Sequence, residues 1–411
     1  MKILFFTENF PPETNAAATR VYERALYWVK WGHDVTVITC QPNFPQGRVF
    51  DGYQNRFSTE MMDGMRIIRV RTYIAPNRAV IKRVLDFLSY MVTAYIAAKR
   101  EPVPDVVVST SPQFFAAVAA WRYAAQAKCR YVFELGDLWP ASIAAVGVLR
   151  TNFLLRLIER LELRMYRDAD TVVALTQAFK DNLVARNIPA NKIAVVINGV
   201  DLWRYAPSPR DQNLANELGI KTDDVVIGYI GTHGMAHALG NILDAAAKLR
   251  DHKNIKFLFA GAGAERDALM TRAKTEKLEN VIFLASQPKS RMPAVWSQCD
   301  VAFVHLKNSP IFAGVIPSKI FEAMAMGLPV LFAGPTGEGS EIVKAADAGP
   351  VIGAENPDAL ATSILDLATH SDVRRRFAAN SLAAAPAYSR EAQARKMIDV
   401  LAHVVGKGAK S

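Results

Sequence analysis

The sequence has few cysteines, and they lie far apart. Cys40, Cys129 and Cys299 are the only three among 411 residues, and no two of them form a CxxC pair. This spacing argues against a disulfide framework and against a zinc cluster. It is typical of a reducing compartment, so the sequence predicts a cytoplasmic protein.

Long apolar runs are also missing. No window approaches the roughly 20 consecutive apolar residues that a membrane-spanning helix needs. The run at residues 2–6 is too short for a secretory signal peptide and predicts a buried strand instead. The segment 81–100 is apolar nearly all round with basic ends, and it predicts either a core helix or a helix lying in a membrane interface.

Several catalytic signatures are incomplete. His233 and His237 are four residues apart, but no HExxH pattern or nearby acidic residue completes a zinc site. Gly261 and Gly263 follow an apolar run, but the third glycine of a dinucleotide fingerprint is absent, so a nicotinamide dehydrogenase is only an alternative. No DxD cluster stands out at a strand end, and no paired carboxylates at glycosidase spacing can be argued. We therefore expect no metal and no cofactor.

The composition is globular and basic, with 51% hydrophobic residues, 21% charged residues and a formal net charge of +10. Such a surplus favours an acidic partner, which could be a phosphorylated substrate, nucleic acid or an anionic membrane, or it only aids solubility. The basic residues concentrate at 66–83 and 150–167. The length predicts two domains.

Short apolar runs alternate with helical patterns in two successive series, which predicts two doubly wound parallel-sheet α/β domains facing a cleft. The predicted domains are 1–205 and 206–388, with a last helix in 389–411 that packs back toward the first domain. Ligands of such sheets bind beyond the carboxyl ends of the strands, so the cleft is the expected site. The predicted strands are 2–6, 34–40, 105–110, 131–135, 171–175 and 193–198, then 225–231, 255–261, 281–286, 300–306 and 329–335.

Three loops after predicted strands hold candidate functional residues. In "TENFPPETNAAATR" the amides at a helix start are able to approach an anion, or the segment is an ordinary loop between a strand and a helix. In "YIGTHG" two glycines permit a tight turn whose amides point at a phosphate, or the loop is merely polar. In "ELGDLWP" Asp137 either projects into the cleft or caps the next helix.

The stretch "PSKIFEAMAMGLPV" predicts a helix over 318–326 with two charges in its first turn. Ser318 is a candidate N-cap. Lys319 opposes the helix dipole unless an anion is held there. Glu322 is able to accept hydrogen bonds from vicinal hydroxyls such as those of a ribose. The alternative is a solvated lysine and an exposed glutamate.

In order and spacing these segments resemble the retaining glycosyltransferases of family 4, which have the GT-B fold. The resemblance extends through "NGVDLWRYAP" at the domain junction, "FAGAGAERDAL" and "FLASQPKSRMPAVWSQCDVAFV". "DLWP" and "PSK…FE" also occur in the subgroup that contains fucosamine-type amino-deoxysugar transferases of bacterial surface polysaccharide assembly.

The resemblance implies roles by position. Glu322 would bind the ribose of the donor nucleotide, and Ser318, Lys319 and the loop Gly231, Thr232, His233 and Gly234 would hold its diphosphate. Gly263, Leu284 and Gln287 would receive the base. Asp137 would face the transferred sugar as a catalytic residue together with Lys319, and Glu13, Thr14 and Asn15 would line the acceptor side.

The sequence departs from the family pattern at three places. Gly314 stands where a first motif glutamate is usual, eight residues before Glu322, and this suggests a deoxy or N-acetylamino donor sugar. Thr232 and His237 occupy the positions where the phosphate loop of the family usually has Arg and Lys. The residue before Asp137 is Gly136.

The implied activity is metal-independent transfer of a sugar from a UDP-sugar, with retention, to a lipid-linked or polysaccharide acceptor such as an undecaprenyl-diphosphate-linked glycan. The departing diphosphate would accept the acceptor proton on the same face of the sugar. The products would be O-antigen, capsule or exopolysaccharide, made in the cytoplasm by a protein that is peripheral on the inner face of the membrane and binds no nucleic acid. A non-catalytic protein that binds sugar nucleotides or nucleic acid is the other alternative.

Overall fold

The computed structural model describes residues 1–13, 15–44, 46–74, 80–111, 113–138 and 153–407, with the backbone alone at Ala16, Val80, Ile81, Arg83 and 153–155. The chain forms two compact units. Unit 1 comprises Met1–Asn198 and Gln393–Ser411, and unit 2 comprises Gly199–Ala392.

Unit 1 is built on a mainly parallel sheet. Its strands are β1 (Lys2–Phe6), β2 (Asp34–Cys40), β3 (Ser58–Met62), β4 (Met65–Val70), β5 (Val106–Thr110), β6 (Arg130–Leu135), β7 (Thr171–Ala174) and β8 (Ile193–Val195). In the described part of the chain they lie in the order β3-β4-β2-β1-β5-β6-β7-β8. Ile3 of β1 pairs with Val35 of β2 on one side and with Val106 of β5 on the other. The edge strand β3 is antiparallel to β4.

Both faces of this sheet are buried. Phe6 and Val107 belong to one apolar cluster, and Phe5 and Val108 belong to another. Neighbouring residues of one strand enter opposite clusters because successive side chains of a strand point to opposite faces. A strand covered on both sides reads as a continuous apolar run, which is why these strands were visible in the sequence.

Helices of unit 1 connect the strands. They are α1 (Ala16–Lys30), α2 (Val80–Ala98), α3 (Phe114–Ala127), α4 (Phe153–Asp168) and α5 (Gln177–Ala185). The helix α2 corresponds to the predicted apolar segment 81–100. Its residues Tyr90 and Ala94 are fully buried in the core, whereas Leu85, Val92 and Ile96 are exposed. One face of α2 is therefore a core face, and another presents apolar side chains to solvent. No helix among the described residues is long and apolar enough to cross a membrane.

Unit 2 repeats the architecture with a second parallel sheet. Its strands are β9 (Val225–Ile230), β10 (Ile255–Ala260), β11 (Val281–Leu284), β12 (Val301–His305), β13 (Val330–Ala333) and β14 (Val351–Ile352), in the order β11-β10-β9-β12-β13-β14. Its helices are α6 (Gln212–Leu218), α7 (Gly240–Lys248), α8 (Arg266–Thr275), α9 (Met292–Trp296), α10 (Lys319–Ala325), α11 (Glu338–Ala345), α12 (Pro357–Thr369) and α13 (Ser371–Ala384). The predicted pair of parallel-sheet α/β domains is confirmed.

Strand β4 is a difference from the prediction, which treated residues 66–83 as a basic stretch. Arg66 and Arg69 interrupt its apolar run, yet Arg69 is only 1% exposed. The Nε atom of Arg69 donates to Glu60 on β3 at 2.7 Å, and its Nη2 atom donates to the Pro11 carbonyl at 2.6 Å. A buried arginine whose hydrogen-bond partners are supplied by the surrounding chain is compatible with a strand interior, so the charge concealed the strand.

The division between the units falls at Asn198–Gly199, earlier than the expected boundary after residue 205. Val200 already pairs with Ser389, because its amide donates to the Tyr388 carbonyl and its carbonyl accepts from Arg390. Gly199 lies so close to this segment that a Cβ atom would come within 2.8 Å of the Arg390 nitrogen. These bonds attach the start of the junction to unit 2.

The last helix, α14 (Arg390–Gly406), supplies part of the core of unit 1. Met397 and Leu401 are fully buried in the cluster that also contains Trp28 of α1. The indole Nε1 of Trp28 donates to the Ala394 carbonyl at 3.1 Å. Unit 1 is therefore assembled from both ends of the chain.

We predict that Met397→Ala destabilises unit 1 by about 2–5 kcal/mol, because it leaves a cavity in this cluster. Denaturant unfolding with a probe in unit 1 measures the loss. Lys396→Ala on the exposed face of α14 is the control and should change stability by less than about 0.5 kcal/mol. Equal effects of the two substitutions would contradict the packing of α14 on unit 1.

Candidate functional site

The helix α10 brings two charged side chains to the carboxyl edge of the sheet of unit 2. Ile320 and Phe321 are buried and anchor the helix, while Lys319 and Glu322 stand in its first turn. Because α10 follows β12 in a parallel sheet, its N-terminal end lies at the edge where ligands of such sheets bind. The predicted alternative of a solvated lysine is wrong, since Lys319 is only 8% exposed.

Lys319 is a buried cation without a hydrogen bond. Its Nζ atom finds no acceptor in the described part of the chain and lies 3.7 Å from the ring centroid of Tyr229 on β9. Burial lowers the pKa of Lys319 from its usual 10.5 to about 7, with Glu322 acting in the opposite direction. A buried ammonium that has an aromatic ring beside it but no hydrogen-bond acceptor is costly in the free protein, and a bound anion would supply the acceptor.

The Glu322 carboxylate accepts one hydrogen bond from the described residues. The indole Nε1 of Trp296, at the end of α9, donates to Oε2 of Glu322 at 3.1 Å. Burial raises the pKa of Glu322, while this hydrogen bond and the charge of Lys319 lower it. The hydrogen bond to Oε2 leaves Oε1 as the acceptor for a further hydroxyl group.

Ser318 does not cap α10 in the manner predicted. It occupies the N-cap position, but its side chain makes no capping bond, and its backbone is already helical with φ −58° and ψ −26°. A capping side chain requires an extended backbone at this position, so the hydroxyl cannot reach the amides beyond it. The Ser318 carbonyl instead accepts from Phe321 at 3.0 Å. Its hydroxyl group is exposed at the edge of the site.

The loop after β9 lies against Lys319. Gly231 adopts φ +137°, and a Cβ atom there would come within 3.0 Å of the Lys319 Nζ atom. The Tyr229 hydroxyl donates to the Thr232 carbonyl at 2.8 Å and fixes the turn. Gly234 ends the loop in an extended conformation. Glycine at 231 is therefore required both by the backbone and by the neighbouring ammonium.

His233 is fully buried, and neither ring nitrogen has a hydrogen-bond partner among the described residues. Burial lowers its pKa to about 4, and the charges of Arg266 and Lys319 act in the same direction. The ring packs between Tyr229 and Phe259, at centroid distances of 5.9 and 6.1 Å. The imidazole is therefore neutral, and it is a second polar group at this edge without a partner.

The glycines after β10 have a structural explanation. Gly261 and Gly263 adopt φ +150° and +157°, and a Cβ atom on either would collide with the carbonyl oxygen of Gly231 or of His233. The His233 amide donates to the Ala262 carbonyl at 2.9 Å. Direct contact between the two loops accounts for the GxG pattern, so it is not evidence for a dinucleotide.

Leu284 and Gln287 follow in the next strand and its loop. The Gly261 amide donates to the Leu284 carbonyl at 3.0 Å, which places the end of β11 beside the loop after β10. Gln287 is half-buried, and its side chain accepts from Arg291 at 3.2 Å. The structure thus brings the donor-side residues of unit 2 to one sheet edge, and their roles there stay predictions.

Two departures from the family pattern have contrasting surroundings. The His237 Nδ1 atom lies 3.2 Å from the His305 carbonyl, and the His305 Nδ1 atom lies 2.7 Å from the His237 carbonyl. His237 thus joins the loop after β9 to β12. Gly314 is half-buried in the turn that follows Pro310–Phe312. In the described residues no group of three His, Cys, Asp or Glu side chains is placed to hold a metal ion.

The acceptor-side candidates of unit 1 have structural partners. The carboxylate of Glu13 is 3% exposed and accepts from the amides of Asn43 and Phe44 at 2.7 and 2.8 Å. Asn15 caps α1 by accepting from Ala18 at 3.0 Å. Both side chains hold loops at the carboxyl edge of the sheet. Thr14 lies outside the described residues.

Asp137 is held at the end of β6 through its backbone. The Ser111 Oγ atom accepts from the amides of Gly136 and Asp137 at 2.8 and 3.1 Å. Glu134, which precedes this turn, is fully buried and forms ion pairs with Arg20 and Arg24 of α1. Burial raises its pKa, but the two guanidinium groups outweigh burial and lower it overall. The alternative role of Asp137 as a helix cap involves residues 139–152, which lie outside the described residues.

Two parallel-sheet α/β units with a cationic site at the sheet edge of the second define the GT-B class of glycosyltransferases. Residues 15–199 match the family model described as Glycosyl transferase 4-like domain, and residues 211–383 match the one described as Glycosyl transferases group 1. The chain therefore contains these two domains in series and is a glycosyltransferase. This confirms the predicted enzyme class.

Individual proteins share this organisation. WcaI of Escherichia coli (strain K12), which is named as a colanic acid biosynthesis glycosyl transferase, is 25% identical over 335 residues, or 80% of this chain and 82% of WcaI. The crystal structure of Anabaena HepE in complex with UDP has a TM-score of 0.71 at 18% identity, covering 98% of this chain and 100% of HepE. Sucrose-phosphate synthase from Thermosynechococcus elongatus has a TM-score of 0.75 at 15% identity, covering 99% of both chains.

We predict that Lys319→Met raises the free energy of unfolding of the unliganded protein, and more so at pH 6 than at pH 9.5. Between about pH 7 and 10.5 the unfolded chain binds the proton that the folded chain has lost. The loss of folding free energy caused by burying the Lys319 ammonium is therefore largest below pH 7, and it disappears as the pH rises from about 7 to 10.5. Denaturant unfolding at the two pH values measures it.

Lys344→Met is the matched control, because Lys344 is exposed at the end of α11 and pairs with Glu341 on the surface. It should leave stability nearly unchanged at both pH values. A loss of stability in Lys319→Met at pH 6 would show that Lys319 is satisfied in the free protein.

Proposed function

We propose that the protein transfers a sugar from a UDP-sugar to a lipid-linked or polysaccharide acceptor during synthesis of a bacterial surface glycan. The observation that carries this proposal is the buried Lys319 ammonium, whose Nζ atom makes no hydrogen bond among the described residues. A nucleoside diphosphate supplies the negative charge and the acceptor oxygens that this ammonium lacks. The HepE structure with UDP and the name of WcaI support the nucleotide and the process.

In this proposal different residues of unit 2 bind different parts of the donor nucleotide. Lys319 and the amides of the loop 231–234 hold the diphosphate, with Ser318 at the edge. Glu322 accepts hydrogen bonds from the ribose, and Gly263, Leu284 and Gln287 receive the base. The His233 imidazole, which is neutral and makes no hydrogen bond among the described residues, donates or accepts one hydrogen bond at the phosphates.

The chemical step we propose is transfer with retention on one face of the sugar. The bond from the anomeric carbon to the diphosphate oxygen breaks, and the acceptor hydroxyl forms the new bond while its proton passes to the departing diphosphate. Lys319 stabilises the charge that develops on the leaving group, and stabilisation of developing charge in a site without water is a large catalytic term. No metal is required in this scheme. The catalytic role of Asp137 and the acceptor roles of Glu13, Thr14 and Asn15 stay predictions.

We propose an amino-deoxy donor sugar, such as N-acetylfucosamine. Gly314 has no side chain to bind the sugar hydroxyl that the family glutamate contacts. A site with a residue that hydrogen-bonds a substrate hydroxyl strongly rejects substrates that lack this hydroxyl, whereas a site without such a residue does not. A donor sugar in which that hydroxyl is absent or modified therefore loses no hydrogen bond at this position.

A thermal-shift panel of nucleotide sugars tests the function. We expect UDP-sugars to raise the melting temperature more than GDP- or ADP-sugars, and UDP-2-acetamido-2,6-dideoxy sugars more than UDP-glucose, because binding to the native state stabilises it. Lys319→Met should abolish the shift and Lys344→Met should keep it. No shift with any nucleotide sugar would contradict the proposal.

We also propose peripheral association with an anionic membrane through the exposed apolar side chains of α2. Leu85, Val92 and Ile96 lie on one face of the helix, in a chain with a net charge of +10. Wild-type protein should sediment with anionic liposomes at low salt and be released at high salt. The variant Val92→Asp/Ile96→Asp should stay in solution, whereas the control Val103→Asp, at an exposed position outside α2, should still sediment. Equal sedimentation of both variants would exclude α2 as the contact.

A further inference from the structure

Trp296 is a residue that the sequence did not single out, and it touches Glu322 directly. It is the last residue of α9 and is completely buried. Its indole Nε1 donates to Oε2 of Glu322 at 3.1 Å. An indole has a single donor and no acceptor, so this contact fixes which atom faces the carboxylate.

The end of α9 is itself held in place. The Ser297 Oγ atom accepts from the Asp211 amide at 3.2 Å, and the buried Gln298 side chain donates to the Asp211 carbonyl at 3.1 Å. The Cys299 amide closes the turn on the Trp296 carbonyl at 3.0 Å. The indole is therefore carried by a segment that is anchored directly after Trp296, and a rigid support of this kind fixes the geometry of the group it contacts.

Glu322 needs such a support because its surroundings shift its pKa in opposite directions. Burial raises its pKa, while the hydrogen bond from Trp296 and the charges of Lys319, Arg390 and Lys289 lower it. Its carboxylate can rotate about the last side-chain bond, whose preference is broad. A donor on Oε2 selects one orientation and directs Oε1 away from Trp296.

We propose that Trp296 is a positioning residue that orients the Glu322 carboxylate to receive the two ribose hydroxyls of a nucleoside diphosphate. The inference rests on the proposed function, because it takes the ribose as the partner of Glu322. Trp296 itself makes no contact with the nucleotide in this arrangement. It acts through Glu322 alone.

The test compares two probes on the full chain by titration calorimetry: UDP and 2′,3′-dideoxyuridine 5′-diphosphate. The wild-type protein should bind UDP more tightly, since the second probe cannot engage Glu322. In Trp296→Phe, which keeps most of the ring, we expect the preference for UDP to fall by about tenfold, the effect of one hydrogen bond to a charged group. Affinity for the dideoxy probe should stay as in wild type.

Two further variants separate positioning from general damage. Trp28→Phe removes a comparable buried indole hydrogen bond in unit 1 and should leave the preference unchanged. Glu322→Gln should lose the preference by itself, and adding Trp296→Phe to it should have no further effect on the preference. Additive effects of the two substitutions would show that Trp296 acts independently of Glu322.

The outcomes distinguish the inference from the function on which it rests. If wild-type protein binds neither probe, the proposed function is wrong. If it prefers UDP and Trp296→Phe keeps that preference, the inference is wrong. Should Trp296→Phe not fold, the indole ¹⁵N–H resonance of Trp296 in wild-type protein gives the answer. It should shift more with UDP than with the dideoxy probe, and equal shifts would overturn the inference.

Discussion

The central constraint in this protein is an ammonium group that is buried without a hydrogen-bond acceptor in the described part of the chain. Lys319 lies over the Tyr229 ring and against Gly231, in a space that a side chain at 231 would occupy. Removing a charge from water without a partner is unfavourable, so the surrounding fold must hold this residue at a cost in stability. The buried face of α10 and the interlocked loops after β9 and β10 provide that rigidity. Stability and ligand affinity are therefore opposed at one position.

The architecture could be read from the sequence because most strands are covered on both faces. A strand such as β5, with Val107 and Val108 in opposite clusters, leaves a continuous apolar run. Strands β3 and β4 could not be recognised in this way. Strand β4 carries Arg69 inward, where Glu60 and the Pro11 carbonyl satisfy it, and nothing in the local sequence reveals partners supplied from elsewhere in the chain.

In the candidate site, too, residues that stand out in the local sequence could be predicted, and residues that depend on distant packing could not. Lys319 and Glu322 could be singled out because two charges in the first turn of an apolar helix conflict with local rules. Trp296 and Tyr229 obey those rules as ordinary buried aromatics, and only the packing of α9 and β9 against α10 brings them to the charges. Gly263 is a different case, since contact with the His233 backbone requires a glycine there whether or not a nucleotide binds, so the GxG pattern by itself does not indicate a nucleotide site.

The contribution of α14 to unit 1 has a consequence for how the protein is made. Unit 1 begins the chain, but Met397 and Leu401 complete its core. All of unit 2 is therefore synthesised before α14 is available to pack on Trp28. Domains generally fold as units during synthesis, the N-terminal one first. Unit 1 cannot complete its core in that order, because α14 follows unit 2 in the chain, and part of its interior stays uncovered until α14 has been made.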